Sequence, residues 1–340
     1  MAIDQLDIGI LGPYLESNIA GFKGLHRAEK FTDGQSNPTF LLTAESGQYV
    51  LRRQPPGELL KSAHAVDREY RVIAALADSD VPVARAYHLC EDRNVIGSMF
   101  YVMSYEEGRI FWNPLLPELD KGQRAAIYDE MACLLATLHD VDVQAVGLGD
   151  FGRPGNYFER QINRWSKQYR ASETKTIEAM NILMEWLPAN LPEEDGKVSL
   201  IHGDYRMDNI IFHPTESRII ALLDWELSTL GHPYADLAYQ CMQMRMKSDA
   251  VIVGLGGIDR TALGIPTEEA YVARYCQQRG IDGIPNWGFY LVFSFFRLAA
   301  ILQGVLKRAI DGNASSQKAF DYGHMAPVLA NMAVEILERD

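Results

Sequence analysis

Apolar and polar positions alternate through much of the N-terminal third of the chain. Thr39–Thr43 and Gln48–Arg52 are β-branched and aromatic runs joined by Glu45-Ser46-Gly47, a pattern that predicts a hairpin. Pro55, Pro56 and Gly57 then break the chain. From about His64 to Ala77 the period lengthens, with Val66, Tyr70, Ile73 and Leu76 at helical spacing. A further strand is expected at Ser98–Ser104, ending near Glu106, Glu107 and Gly108. Beyond it the period is helical: Ile127, Met131, Leu134, Leu135 and Leu138 define one amphipathic helix, and a second is expected within Phe158–Leu187. Short strands return at Val198–Ile201, Ile210–Phe212 and Arg218–Leu223, and the remainder is mostly helical.

The pattern predicts an α+β chain of two lobes. Residues 1–105 form a small β-rich N-lobe of strands and one helix, and residues 106–340 a larger, mainly helical C-lobe with a short β insert. Such an architecture places a cleft between the lobes, where ligands bind.

Composition narrows the function classes. Hydrophobic residues make up 47% of the 340 and charged residues 23%, a globular balance that excludes disorder and fibrous repeats. The net charge of −13 leaves no excess of Lys and Arg for a sequence-independent grip on nucleic acid. It would suit a cationic substrate, although solubility alone accounts for an acidic surface. Cys90, Cys133, Cys241 and Cys276 form no CxxC pair, so they are expected to be reduced, buried thiols. No basic region followed by a long apolar run opens the chain, and the cytoplasm is the expected compartment. Trp287–Leu306 is apolar enough to raise a membrane question, but Arg297 and Gln303 interrupt it; a buried core helix is expected, with no membrane partner.

The chemistry concentrates in His202-Gly203-Asp204-Tyr205-Arg206-Met207-Asp208-Asn209, a loop between two short strands, and in Leu222-Leu223-Asp224-Trp225-Glu226. A loop Asp and Asn five residues apart, with a second Asp after an apolar strand, is what phosphoryl transfer requires. One carboxylate orients and deprotonates the attacking hydroxyl, and hard oxygen donors hold Mg²⁺ on the phosphates. Asp204 suits the base, Asn209 and Asp224 suit the metal, and Arg206 is placed to neutralise charge on the transferring group. No GxxxxGK[ST] sequence is present, so a P-loop NTPase is not supported.

HGDYRMDNIIF followed by ALLDWELSTLGHPYADLA resembles the aminoglycoside phosphotransferase (choline kinase-like) family, relatives of protein kinases. The resemblance covers nearly the whole chain. It implies a protein-kinase-like fold, ATP and Mg²⁺ as cofactors and a small-molecule hydroxyl as acceptor. It assigns the base to Asp204 and the metal to Asn209 and Asp224. It also implies that His202 braces the loop, that Glu226 reaches a second metal through water, and that Asp236 anchors the loop backbone. Phe31-Thr32-Asp33-Gly34-Gln35-Ser36-Asn37-Pro38-Thr39 corresponds to the nucleotide-covering hairpin turn, with Gln35, Ser36 and Asn37 offering backbone N–H groups to phosphate. The small-lobe helix would present Glu69, on the apolar face, to Arg52, where the family usually has a lysine; Arg53 is the neighbouring candidate. Met103 would guard the adenine pocket, and backbone groups near Ser104 and Glu106 would pair with the adenine edge.

The chain departs from antibiotic-modifying members between Asp204 and Asn209, where those carry His-Pro-Gly and this one carries Tyr205-Arg206-Met207-Asp208. With LRRQPPG and HAVDREY it looks closest to a subgroup that includes the kinase-like domain fused to some acyl-CoA dehydrogenases. That implies a hydroxyacyl-CoA or related metabolite as acceptor; an aminoglycoside kinase and a non-catalytic nucleotide-binding module are the alternatives. Phe111 and Trp112 are candidate lining residues of the acceptor pocket, or core.

Overall fold

The computed structural model describes residues 6–31, 37–55, 64–312 and 319–338. Along the chain lie α1 (Ile8–Asn18), β1 (Leu25–Lys30), β2 (Thr39–Ala44), β3 (Gly47–Arg53), α2 (Val66–Ala75), β4 (Ala86–Cys90), β5 (Phe100–Ser104), α3 (Lys121–His139), α4 (Tyr157–Ser172) and α5 (Glu178–Ala189). They are followed by β6 (Ser199–Ile201), β7 (Ile210–Phe212), β8 (Ile219–Leu222), β9 (Thr229–Gly231), α6 (Tyr234–Arg245), α7 (Arg260–Leu263), α8 (Glu268–Arg279), α9 (Trp287–Ile310) and α10 (Ala319–Leu337). The chain divides into two compact units.

The first unit comprises Met1–Ile110, Ala145–Leu148 and Asn209–Ser228. Its five-stranded sheet has the order β1-β2-β3-β5-β4, antiparallel throughout. The expected hairpin closes with Ala44 opposite Gly47, whose φ of 133° is a conformation that only glycine adopts without strain. Phe40, Leu42, Leu51, Phe100 and Val102 from the sheet share a core with Leu11 and Leu15 of α1. The β7–β8 ladder belongs to this unit because the backbone ties it there. Leu222 N–H donates to Pro82 O at 2.8 Å, and Arg109 and Phe212 exchange two backbone hydrogen bonds at 2.8 and 2.9 Å. A side chain at Gly108 would come within 2.4 Å of Phe212 O, so the close approach needs glycine.

The second unit comprises Phe111–Gln144, Gly149–Asp208 and Thr229–Asp340. It is mainly helical around the two-stranded β6–β9 ladder. Among the described residues α9 alone is long and apolar enough to cross a membrane, yet 89% of its apolar window is buried in the protein, as a core helix requires.

Several features depart from the pattern-based expectation. α1 was not foreseen; it contains Gly12 and Pro13, and an Asp7 side chain accepting from Gly9 and Ile10 N–H starts it. Phe158–Leu187 holds two helices rather than one, separated at Glu173–Ile177. Asn209–Ser228, counted with the C-lobe in the 1–105 and 106–340 division, packs with the first unit. Phe111 is core, 3% exposed, whereas Trp112 is 65% exposed.

Candidate active site

In the first unit, Arg52 is the hub of an acidic cluster. The β3–β5 register sets it opposite Tyr101, and its guanidinium Nε lies 2.8 Å from Glu69 Oε2 of α2. Another guanidinium nitrogen lies 2.7 Å from Asp224 Oδ1 and 3.5 Å from Glu226 Oε2. Glu69 is 1% exposed. Its remaining capacity is met by Asn37 Nδ2 at 2.8 Å and the Tyr101 hydroxyl at 3.1 Å. Burial pushes the Glu69 carboxyl up, Arg52 pulls it back, and Asp224 and Glu226 push it up again, leaving it at about 7. For Arg52 burial works against the charge, but Glu69, Asp224, Tyr101 and Glu226 outweigh it and the guanidinium is held more firmly protonated.

Asn209 and Asp224 stand at one end of the β7–β8 ladder. Ile210 pairs with Leu222, and Leu223 N–H donates to Asn209 O at 2.8 Å, so the next residue, Asp224, falls beside Asn209. Asp224 adopts a left-handed conformation at φ 62°, ψ 61°. That strain at a non-glycine residue is typical of functional positions. Among the described residues no three His, Cys, Asp or Glu side chains gather as a metal cage. Magnesium requires none, because one or two carboxylates with phosphate and water oxygens suffice. By donor type, the Asp224 and Glu226 carboxylates and the Asn209 amide oxygen would suit that ion.

The positions expected to contact nucleotide are placed differently from one another. Gln35 and Ser36 lie outside the described residues. Asn37 is buried, and its side chain links Glu69 to His64, whose Nδ1 is 2.9 Å from Asn37 Oδ1. His64 was missed by sequence reasoning; its φ of 60° is the only signal it carries, and that is visible in the structure alone. Met103 is buried in β5. The Ser104 N–H donates to Arg85 O at 2.9 Å and its hydroxyl to Glu106. Arg53 is buried, and burial lowers its pKa.

In the second unit the loop after β6 is clamped on both sides. Asp236, on α6, accepts from His202 N–H at 2.6 Å and Gly203 N–H at 2.9 Å. Burial, the largest influence, works against its charge, but the donors around it prevail and the carboxyl lies below the usual range. Gly203 turns at φ 84°, a conformation open to glycine, and its carbonyl accepts from the guanidinium of Arg297, 2.7 Å distant on α9. His202 is fully buried, and its Nδ1 accepts from Asp204 N–H at 3.3 Å, so it braces the turn. The Tyr239 hydroxyl lies in the field of the Asp204 carboxylate; burial first, then that charge, raises its pKa. Arg206 is bound by both carboxylate oxygens of Asp208, with Nε–Oδ1 at 2.6 Å. Burial lowers its basicity, yet Asp208 and Asp204 more than compensate. Arg297 and Tyr239 were missed as site residues; a cation in an apolar helix was the available signal for Arg297.

Residues 27–289 match the model of the phosphotransferase enzyme family. Mouse acyl-CoA dehydrogenase family member 10 is 46% identical over 332 residues, covering 96% of this chain and 31% of the relative. The chain spans less than half the length of the curated relatives it matches. A crystal structure of a Ralstonia eutropha protein, assigned by name to the aminoglycoside phosphotransferases, superposes with a TM-score of 0.91 at 49% identity, covering 98% of this chain and 99% of that one. An aminoglycoside phosphotransferase in ternary complex with AMP-PNP and hygromycin B shares the fold, at a TM-score of 0.62 and 15% identity over 96% of this chain and 98% of that one.

Proposed function

The chain belongs to the phosphotransferase enzyme family and has its two-lobed, protein-kinase-like fold, and on that premise we propose that it transfers the γ-phosphoryl group of ATP, with Mg²⁺, to a hydroxyl of a small acyl-CoA-type metabolite. The observation that carries the reading is the gathering of Asp224 and Glu226 on Arg52, with Asn209 on the adjoining strand end. These oxygens would hold Mg²⁺, which when bound neutralises phosphate charge. Arg52 supplies a fixed positive charge for phosphate, in the position usual for lysine, and Glu69 holds its orientation. On the other unit Asp204 accepts the acceptor's proton while Asp236, Arg297 and His202 hold its loop in place. Arg206 is paired with Asp208, so it offers little free charge to repel a cation or to attract phosphate. The complex with AMP-PNP in a protein of the same fold supports the choice of donor. The acceptor class rests on the match to acyl-CoA dehydrogenase family members along nearly the whole chain.

Asp224→Ala is expected to weaken nucleotide binding specifically in the presence of Mg²⁺, and turnover with it. ATP affinity titrated against Mg²⁺ checks this; a dependence unchanged from the parent would move the metal elsewhere. For the acceptor, a hydroxyacyl-CoA and a kanamycin-type aminoglycoside offered at equal concentration should differ in kcat/KM in favour of the thioester. Efficient turnover of the antibiotic with the thioester untouched would replace the metabolite reading by antibiotic phosphorylation. Absence of any Mg²⁺-dependent transfer or ATP hydrolysis, with ATP still bound, would leave a nucleotide-binding module.

A further inference from the structure

Charge is unevenly spread over the helical unit. The chain carries a net −13, yet one face of α4 is basic. Arg160, Arg164 and Lys167 stand at i, i+4 and i+7, within an arc of roughly 60° and about 10 Å end to end. Arg160 donates to Arg153 O at 2.6 Å, which brings a fourth cation's segment alongside. Arg153, Arg164 and Lys167 are exposed. Among the described residues none of the four has a carboxylate at ion-pair distance, whereas Arg170, one turn on, pairs with Glu173. The acid within this part of the helix, Glu159, is about 100° away from Arg160 around the axis. Uncompensated like charges repel, and an anion relieves them.

The face also connects to the loop that carries Asp204. The guanidinium of Arg164 lies 5.2 Å from the centroid of the Trp165 ring, and that of Arg297 lies 5.8 Å from the same ring. Arg297 in turn holds Gly203 O, the residue before Asp204. The Tyr157 hydroxyl reports the same neighbourhood: burial raises it, to about 12, while Arg297, Arg164 and Arg160 pull it back and Asp236 pushes it up.

We infer that the Arg160–Arg164–Lys167 face of α4 receives the phosphate groups of the acceptor, which makes the acceptor a hydroxyl compound on a polyphosphorylated handle such as coenzyme A. The inference rests on the reading of the chain as a phosphotransferase, and deepens it. A cationic sugar is disfavoured by the same face, and a handful of cations on a chain of net −13 is too little for nucleic acid.

The test is calorimetric titration of coenzyme A into protein saturated with AMP-PNP and Mg²⁺, so that the nucleotide site is filled. Arg164→Glu with Lys167→Glu replaces two exposed residues, and thermal melting verifies the fold; Arg160→Gln is the milder companion. The charge reversal should weaken coenzyme A binding about tenfold or more, the scale of one or two charge-assisted contacts. Pantetheine, which lacks the phosphates, should bind parent and variant alike. No binding of coenzyme A by the parent, or equal affinity in parent and charge-reversed protein, overturns the inference. Stripe-dependent binding without phosphorylation of any hydroxyacyl thioester would sink the proposed reaction and leave the site standing. Turnover of the thioester with a KM unmoved by the charge reversal would do the opposite.

Discussion

Replacing Asp204 by Asn should lower kcat by about 10²–10⁴-fold, the usual contribution of a general base, while leaving ATP affinity near that of the parent. The separation follows from the placement of the residues. Asp204 sits on a loop whose backbone is held by Asp236 and Arg297, neither of which touches its carboxylate. The amide preserves shape, and the bonds that hold the loop are to the His202 and Gly203 backbone, so the loop should keep its place. What is lost is the carboxylate that would accept the proton. Steady-state kinetics with an acceptor that the parent phosphorylates, together with equilibrium ATP binding, checks both halves. A turnover number within about threefold of the parent would remove Asp204 from the role of base. A fall in ATP affinity of the same size as the fall in turnover would instead mark a structural collapse of the loop.

The loop's candidate residues could be picked out in the sequence because they lie close together in it. Asp204, Asn209 and Asp224 are separated by short, fixed spans, and the strands on either side limit where they can go. Glu69 was legible for a different reason: a carboxylate in register with Val66, Ile73 and Leu76 must be buried and therefore paired, and the structure buries it against Arg52. Features that depend on distant segments meeting were not legible. Arg297 looks like a break in an apolar run until α9 is packed beside the β6 loop, where its charge meets Gly203 O. The Asn37 side chain looks like a turn residue until α2 delivers Glu69 to it. Arg206 and Asp208 are two residues apart, a spacing that neither helix nor strand favours, and a tight loop makes it a bidentate pair. At the level of elements, β2, β3, α2 and α3 announced themselves by period. β1 and β9 did not, since one has a largely exposed pattern and the other has three residues. α1, with Gly12 and Pro13 in its middle, shows neither good propensity nor a clean stripe.

Arg52→Met should both destabilise the protein and raise the apparent KM for ATP. The side chain is 14% exposed and Glu69 1%, so the substitution strands a buried carboxylate beside Asp224 and Glu226. Removing one member of a buried pair costs about 3–5 kcal/mol, much of it the penalty of the charge left behind. The loss should depend on pH in a known direction. The Glu69 carboxyl is already raised from its ordinary value to about 7. A carboxyl raised in the native state gives stability that is fully present below its unfolded value and is lost as pH rises through the native one. Without Arg52 the downward pull disappears, so the melting temperature should fall more steeply with pH above about 5 than in the parent. Glu69→Gln added to Arg52→Met should recover part of the stability, because it removes the stranded charge, but not the ATP affinity, because phosphate still lacks its cation. Arg52→Lys should retain part of both: one ammonium keeps the charge but cannot reach Glu69 and Asp224 through separate nitrogens as the guanidinium does. Thermal melts across pH and ATP kinetics on the four proteins separate these contributions. Parent-like stability and parent-like ATP kinetics in Arg52→Met would show that the cluster is not organised by Arg52, and would shift attention to the buried Arg53.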